Sequence, residues 1–115
     1  MIEILNTILE SELSPRKKAE QILDNYCLFL KKQKLNLITS VPSDKNDLEK
    51  SRFYQKVEEA LLELTEDERL LLQYRYLENG GNTFDYIVKD KLGVSERTYY
   101  RIKASALLNL YKLLF

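Results

Sequence analysis

Few side chains in this chain of 115 residues are of the types that carry enzyme or metal chemistry. The chain has no histidine, and Cys27 is its single cysteine. Zinc sites draw mainly on cysteine and histidine, and histidine is the commonest general base. The absence of histidine also removes the Ser–His and Cys–His nucleophile pairs, and no glycine-rich phosphate loop occurs. We therefore expect no catalytic residue, no metal ion and no cofactor, so that the chain is not an enzyme.

Arginine and tyrosine side chains recur near the C-terminus with a spacing suited to DNA recognition. Arg97, Tyr100 and Arg101 share one helix face, beside Glu96. Arginine pairs with guanine O6 and N7, an acidic side chain accepts a hydrogen bond from cytosine, and tyrosine contacts phosphate. The pattern predicts a surface that reads DNA bases. We expect the following residues to contact DNA: Ser95, Glu96, Arg97, Thr98, Tyr100, Arg101 and Lys103.

The elements that would position these side chains form a helix-turn-helix. A short helix over residues 84–92, capped by Thr83, is expected to end at Gly93, which provides the tight turn. Val94 then fills the space between two helices, and Ser95 caps the last helix. In this motif the second helix enters the major groove with its N-terminus first. The apolar positions of the first helix are Phe84, Ile87, Val88 and Leu92. The positions of the second helix expected to face the core are Tyr99, Ile102, Ala106, Leu110 and Leu113.

A capping box at Thr65 and Glu68 divides the segment before the motif into two helices, over residues 47–64 and 65–78. Glycine and asparagine at 79–82 are expected to end the second helix, because both tolerate the left-handed conformation of a helix C-cap. The predicted buried stripes are Val57, Ala60, Leu61 and Leu64 on the first helix and Leu70, Leu71, Tyr74 and Leu77 on the second.

The N-terminal third predicts two more helices, over residues 2–13 and from Pro15 to about Gln33, with Ser14 as the cap of the second. The apolar stripe of the second helix consists of Ala19, Ile22, Leu23, Tyr26 and Leu30, and a stripe of this kind needs something to cover it. We therefore expect an all-α fold in three parts. A helical hairpin for dimerisation or partner binding spans 1–35, a linker spans 36–46, and a helix-turn-helix domain of three or four helices spans 47–115.

Charge is unevenly distributed along the chain, although 18 basic and 18 acidic residues balance to a formal net charge of zero. Residues 51–82 carry four basic and seven acidic residues, whereas residues 83–115 carry six basic and three acidic residues. This asymmetry predicts that the phosphate-facing surface lies at the C-terminal end. Arg75, Thr83 and Lys89 are expected as further phosphate contacts, Arg75 and Lys89 because they lie near the turn. The basic run at 16–18 is interpreted as a solvated first helical turn, with phosphate contact as the alternative.

A resemblance to known families rests on the C-terminal half. The recognition half of region four of bacterial sigma factors resembles residues 92–110, LGVSERTYYRIKASALLNL. With the upstream run EEALLELTEDERLLLQYRYL, the chain is similar to the ArpU-type phage regulators over roughly residues 50–115. The resemblance implies a phage or prophage protein that controls late genes for packaging or lysis. It also implies that Glu96, Arg97, Tyr100 and Arg101 face the bases.

The leading hypothesis is a sequence-specific transcription regulator that binds double-stranded DNA, with RNA polymerase and a second copy of the chain as further partners under consideration. Two alternatives stay open: an adaptor that docks on RNA polymerase, and a packaging subunit similar to the small terminases. The N-terminus lacks a signal-peptide pattern and no apolar stretch is long enough to span a bilayer. We therefore expect a protein of the bacterial host's cytoplasm, without membrane contact.

Overall fold

The computed structural model describes residues 12–34, 45–78 and 81–115, which form five α-helices and no strand. The all-α prediction is confirmed. The helices are α1, Pro15–Lys34; α2, Lys45–Glu63; α3, Glu66–Leu72; α4, Asp85–Leu92; and α5, Glu96–Leu114. A π-helical segment, Gln73–Leu77, continues α3 directly. Most of the helix predicted before Ser14 lies outside the described residues, and Glu12 and Leu13, which are described, are not helical. Most of the linker predicted over 36–46 also lies outside them, and its last two residues begin α2.

The apolar face of α1 packs against the C-terminal helices of the same chain. The Ser14 hydroxyl accepts a hydrogen bond from the Lys17 backbone N–H at 3.3 Å, and Pro15 starts the helix. Ala19, Ile22 and Leu23 are fully buried, and α1 contacts both α5 and the π-helical segment. The stripe that we expected a partner to cover is therefore covered within the chain, except at Leu30, which is 37% exposed, and α1 shares one core with the helix-turn-helix.

Helix α2 completes this core, because it packs against α5 and its Tyr54 contacts aromatic rings of α1. Its predicted stripe is confirmed, because Val57, Ala60, Leu61 and Leu64 are all buried. The stripe extends back to Tyr54, whose ring lies 4.7 Å from the ring of Phe29, centroid to centroid. Aromatic pairs at this separation add about 0.5–1.5 kcal/mol beyond their buried area.

Helix α3 begins at the predicted capping box. The Glu68 backbone N–H donates to the Thr65 hydroxyl at 3.3 Å, and the Thr65 N–H donates to Glu68 Oε1 at 3.2 Å. The predicted buried face of this helix is partly wrong, because Leu72 and Tyr76 are more deeply buried than Leu70 and Tyr74. The three consecutive leucines at 70–72 are compatible with more than one buried face of α3. The sequence pattern alone therefore does not determine how α3 is rotated about its axis.

The loop between the π-helical segment and α4 differs from the sequence prediction at both ends. Glu78, in an extended conformation, ends the helical segment, and the left-handed residues Gly81 (φ 83°) and Asn82 (φ 59°) follow within the loop. Thr83 was predicted to cap α4, but Phe84 is the N-cap and no side chain caps it. Instead, the Thr83 backbone N–H donates to the Arg75 carbonyl at 3.1 Å, which ties the loop back to the π-helical segment.

Helix α4 and the turn after it form the first half of the predicted helix-turn-helix. Gly93 adopts the left-handed conformation (φ 69°) and its N–H donates to the Lys89 carbonyl at 3.0 Å, so it is the C-cap that the sequence predicts. Val88 is fully buried and Leu92 is half-buried. The other two apolar residues of this segment, Phe84 and Ile87, are 66% and 43% exposed.

Candidate nucleic-acid interface

The first turn of α5 is held by a side-chain cap. Ser95 is the N-cap, and its hydroxyl accepts from the Thr98 backbone N–H at 3.2 Å and donates to Thr98 Oγ1 at 3.0 Å. Both residues were predicted to contact DNA. Their hydroxyls pair with each other, while Ser95 remains exposed at the positive end of the helix dipole.

The predicted base-reading side chains lie on the exposed face of α5. Glu96, Arg97, Tyr100 and Arg101 are all exposed. Neither arginine forms an ion pair with any of the residues that the structure describes. Two guanidinium groups one helical turn apart are thus available to an external acceptor.

The opposite face of α5 is buried and prevents rotation of the helix. Tyr99, Ala106 and Leu110 are fully buried, as predicted. The prediction fails at Leu113, which is 49% exposed, and it omits Leu107, which is 3% exposed. Leu107 lies on the side of α5 that faces α1. The sequence pattern placed α1 in a separate hairpin, so this contact was not predicted.

Asp85, the first residue of α4, joins three helical segments through its carboxylate. Oδ1 accepts from the Tyr99 hydroxyl at 2.6 Å, from Lys103 Nζ at 3.0 Å and from Arg75 Nε at 3.1 Å. The Lys103 and Arg75 side chains are only 16% and 17% exposed. Both were predicted to contact DNA, but the structure directs them to Asp85, where they fix the position of α4 relative to α5.

The charges around Asp85 favour its ionised form. Burial by itself would raise the pKa of Asp85, but hydrogen bonds from Tyr99 and Lys103 and the charges of Lys103 and Arg75 outweigh it and lower the pKa. Burial and the neighbouring carboxylate raise the pKa of Tyr99, so its hydroxyl stays protonated and donates. Two cations face one carboxylate, which leaves a single positive charge behind the exposed face of α5.

Tyr100 sits between this buried network and the exposed arginines. Its ring meets the Tyr99 ring edge-on at a centroid distance of 5.1 Å, and Lys103 Nζ lies 5.9 Å from the Tyr100 centroid. These contacts limit the ring's rotation, although Tyr100 is 47% exposed.

Of the predicted phosphate contacts, Thr83 and Lys89 are half-buried, and Lys89 has no ion pair among the described residues.

A second polar junction, which the sequence analysis did not predict, links α3 to the C-terminal half of α5. Glu68 Oε2 accepts from the Ser105 hydroxyl at 2.8 Å and from Asn109 Nδ2 at 2.9 Å, while Oε1 serves the capping box. Burial opposes ionisation of Glu68, but these hydrogen bonds outweigh it and lower its pKa. The only sequence signal was a pair of small polar residues four positions apart on α5.

The N-terminal turn of α1 lies beside the exposed face of α5, which the sequence analysis also missed. A groove of about 280 Å³ separates the two helices. It is lined by Ser14, Arg16, Lys17 and Glu20 from α1 and its cap and by Tyr100, Lys103, Ala104 and Leu107 from α5. The residues on the two sides are at least 80 positions apart in sequence, so local spacing carries no signal for this juxtaposition.

None of the described helices is long and apolar enough to cross a membrane. The described residues contain no group of three or more side chains suited to hold a metal ion. Comparison of the chain with protein-family models, with curated proteins and with solved structures gave no match.

Proposed function

We propose that the chain is a sequence-specific regulator of transcription that binds double-stranded DNA through α4, Gly93 and α5. The observation that supports this proposal is the exposed face of α5. Arg97 and Arg101 project from a helix whose other side is fixed by Tyr99, Ala106 and Leu110 in the core. A rigid helix with exposed guanidinium groups near its N-terminus suits a reader of the major groove.

In the proposed complex, α5 enters the major groove with Ser95 leading. Arg97 and Arg101 would each pair with guanine O6 and N7, an interaction that discriminates against a wrong base by about 1–3 kcal/mol. Glu96 would accept a hydrogen bond from cytosine N4, and Tyr100 would donate to a phosphate at the rim of the groove. Asp85, Arg75 and Lys103 would act indirectly, by holding α4 and α5 in a fixed relation.

The resemblance to the ArpU-type phage regulators supports a narrower proposal about the genes that are controlled. It rests on residues 58–77, which include α3 and the π-helical segment, and on residues 94–108, which cover the turn after α4 and most of α5. On this basis we assign the regulator to late genes of a phage or prophage, in the cytoplasm of a bacterial host.

The experiment is a selection of DNA fragments from the source genome, followed by sequencing. Three proteins are compared: wild type, Arg97→Ala/Arg101→Ala, and the control Arg52→Ala/Lys56→Ala, which removes two exposed cations from α2. Wild type and control are expected to enrich the same few sites, and the α5 variant to lose them. Equal enrichment by all three proteins, or none by wild type, would overturn the proposal.

Exposed aromatic residues on α4 favour a second candidate function, docking on a protein such as RNA polymerase. Phe84 and Tyr86 are 66% and 63% exposed and their rings stack at a centroid distance of 5.8 Å, with Ile87 nearby. A contiguous exposed apolar patch commonly marks a protein contact. A Phe84→Ser/Tyr86→Ser variant tests this: loss of polymerase binding with DNA binding retained would support docking, and unchanged polymerase binding would contradict it.

A further inference from the structure

We infer that the first turn of α1 is a second DNA-contacting element, which holds the phosphate backbone beside the major groove that α5 enters. This inference rests on the proposed DNA binding and extends it to a part of the chain outside the helix-turn-helix. Its residues are Arg16 and Lys17, which are exposed and line the groove between α1 and α5.

Packing keeps this turn in a fixed position beside the exposed face of α5. Ala19, which directly follows the basic run, is fully buried, as are Ile22 and Leu23 one turn further on. The groove between the helices is shared by Arg16 and Lys17 on one side and Tyr100 on the other. A molecule bound along the exposed face of α5 therefore passes directly beside the two cations.

The dimensions of DNA match this arrangement. Packed helices have axes about 8–10 Å apart. The major groove is about 12 Å wide, so each bordering phosphate strand lies on the order of 6 Å from the axis of a helix seated in it. When α5 occupies the groove, the adjacent α1 therefore lies over one of these strands, with its N-terminal turn directed towards Tyr100.

The two cations that line the groove contribute little to the stability of the fold. The first turn of α1 contains no acidic residue, and Arg16 and Lys17 stand at the positive end of the helix dipole. Each cation in such a position lowers the stability of the helix by about 0.3–1 kcal/mol. The ion pair between Lys17 and Glu20, at 3.4 Å, is 66% exposed on the lysine side and therefore contributes little.

An anion resolves this unfavourable arrangement, because a phosphate group is attracted both by the cations and by the positive end of the helix dipole. Glu20, the acidic residue in the groove, is already engaged: its Oε2 accepts from the Tyr76 hydroxyl at 2.9 Å and its Oε1 pairs with Lys17. Charge complementarity and continuity with the exposed face of α5 both favour the DNA backbone as the occupant.

The test measures the affinity for the site selected by the wild type over a series of salt concentrations. The variant is Arg16→Gln/Lys17→Gln. The control is Lys31→Gln/Lys32→Gln, which removes the same charge from exposed residues at the other end of α1, about 22 Å away at 1.5 Å per residue. Each phosphate contact contributes about 0.9 to the slope of log affinity against log salt concentration.

We expect Arg16→Gln/Lys17→Gln to reduce the magnitude of this slope by about 1–2 and to weaken binding to the selected site and to a mismatched site by the same factor. The control is expected to keep the wild-type slope. The variant is also expected to melt no lower than wild type, because it removes cations from a helix N-terminus.

A wild-type slope in the Arg16→Gln/Lys17→Gln variant, or an equal reduction in the control, would overturn the inference while leaving the proposed function of α5 intact. A wild type without sequence-specific binding would overturn both. The two failures are therefore distinguishable in one set of titrations.

Discussion

The side chain of Asp85 illustrates how one carboxylate changes the roles of its neighbours. Lys103 and Arg75 were predicted to contact DNA, because Lys103 lies on the last helix of the motif and Arg75 lies near its turn. In the structure both donate to Asp85, together with Tyr99. The sequence could not indicate this, because Asp85 and Lys103 are 18 positions apart on different helices.

Replacing Asp85 by asparagine tests the structural role of this carboxylate. Asp85→Asn would leave two largely buried cations without the negative charge that they face, and hydrogen bonds to charged groups are worth about 1.5–3 kcal/mol. We expect the free energy of unfolding, measured in urea, to fall by about 1–3 kcal/mol. The matched control is Asp90→Asn, at an exposed position of α4, with an expected change within about 0.5 kcal/mol. Equal effects of the two substitutions would contradict the assignment.

The lowered pKa values of Asp85 and Glu68 predict a loss of stability in acid. A carboxyl group whose pKa is lower in the folded state contributes stability above its unfolded pKa, about 3.9 for Asp and 4.3 for Glu, and loses it as pH falls below that. The pKa of Asp24 shifts the other way, raised by burial and by the charge of Glu20, so the wild-type curve alone mixes opposite effects.

The comparison of wild type with Asp85→Asn isolates one group. The difference in their free energies of unfolding should have its largest value at pH 7. It should shrink as the pH falls below about 4, because the carboxyl group of Asp85 then becomes protonated and loses its charge. Urea titrations at pH 7, 5, 4 and 3 measure this difference. A difference that stays constant over the whole range would show that the charge of Asp85 does not matter.

At the scale of the elements, local signals in the sequence predict where helices begin and end. The Thr65 capping box, the Ser95 cap and the left-handed Gly93 all occur where the sequence places them. These features depend on residues within four positions of one another, so spacing suffices to find them. The rotation of α3, the cap of α4 and the burial of Leu107 depend on packing between distant segments, which spacing does not encode.

Two glycines provide a matched test of backbone conformation and space. Both Gly81 and Gly93 have positive φ, at 83° and 69°, so alanine is strained at either position by about 1–2 kcal/mol. A Cβ at Gly81 would also lie 2.8 Å from the Tyr76 carbonyl oxygen and 3.1 Å from Cys27 Sγ, whereas none of the atoms around Gly93 lies within 4 Å. We expect Gly81→Ala to lower the urea midpoint further than Gly93→Ala. Equal midpoints would contradict the close approach at Gly81.

At the scale of the whole molecule, α1 belongs to the core rather than to a separate hairpin. Its buried residues Ala19, Ile22, Leu23, Tyr26 and Phe29 lie in the same cluster as those of α3 and α5. Complete burial of a large apolar side chain contributes about 1.5–3 kcal/mol. Four such side chains together contribute on the order of the whole stability of a domain, about 5–15 kcal/mol.

Removal of α1 is therefore expected to unfold the helix-turn-helix. A fragment spanning residues 45–115 should lose the cooperative urea transition of the full chain, because Tyr76 and Leu107 would lose their cover. Circular dichroism during urea titration of both proteins measures this. A fragment that unfolds cooperatively, at the same midpoint as the full chain, would instead support an independent domain at 47–115.

Single-base variants of the selected DNA site test whether Arg97 and Arg101 read bases, as we propose. Wild type should discriminate by about 1–3 kcal/mol against a substitution at the guanine that each arginine contacts. Arg97→Ala and Arg101→Ala should each lose discrimination at one position and keep it at the others. If both variants bind all site variants more weakly by one common factor, the arginines contact only phosphate and the claim is contradicted.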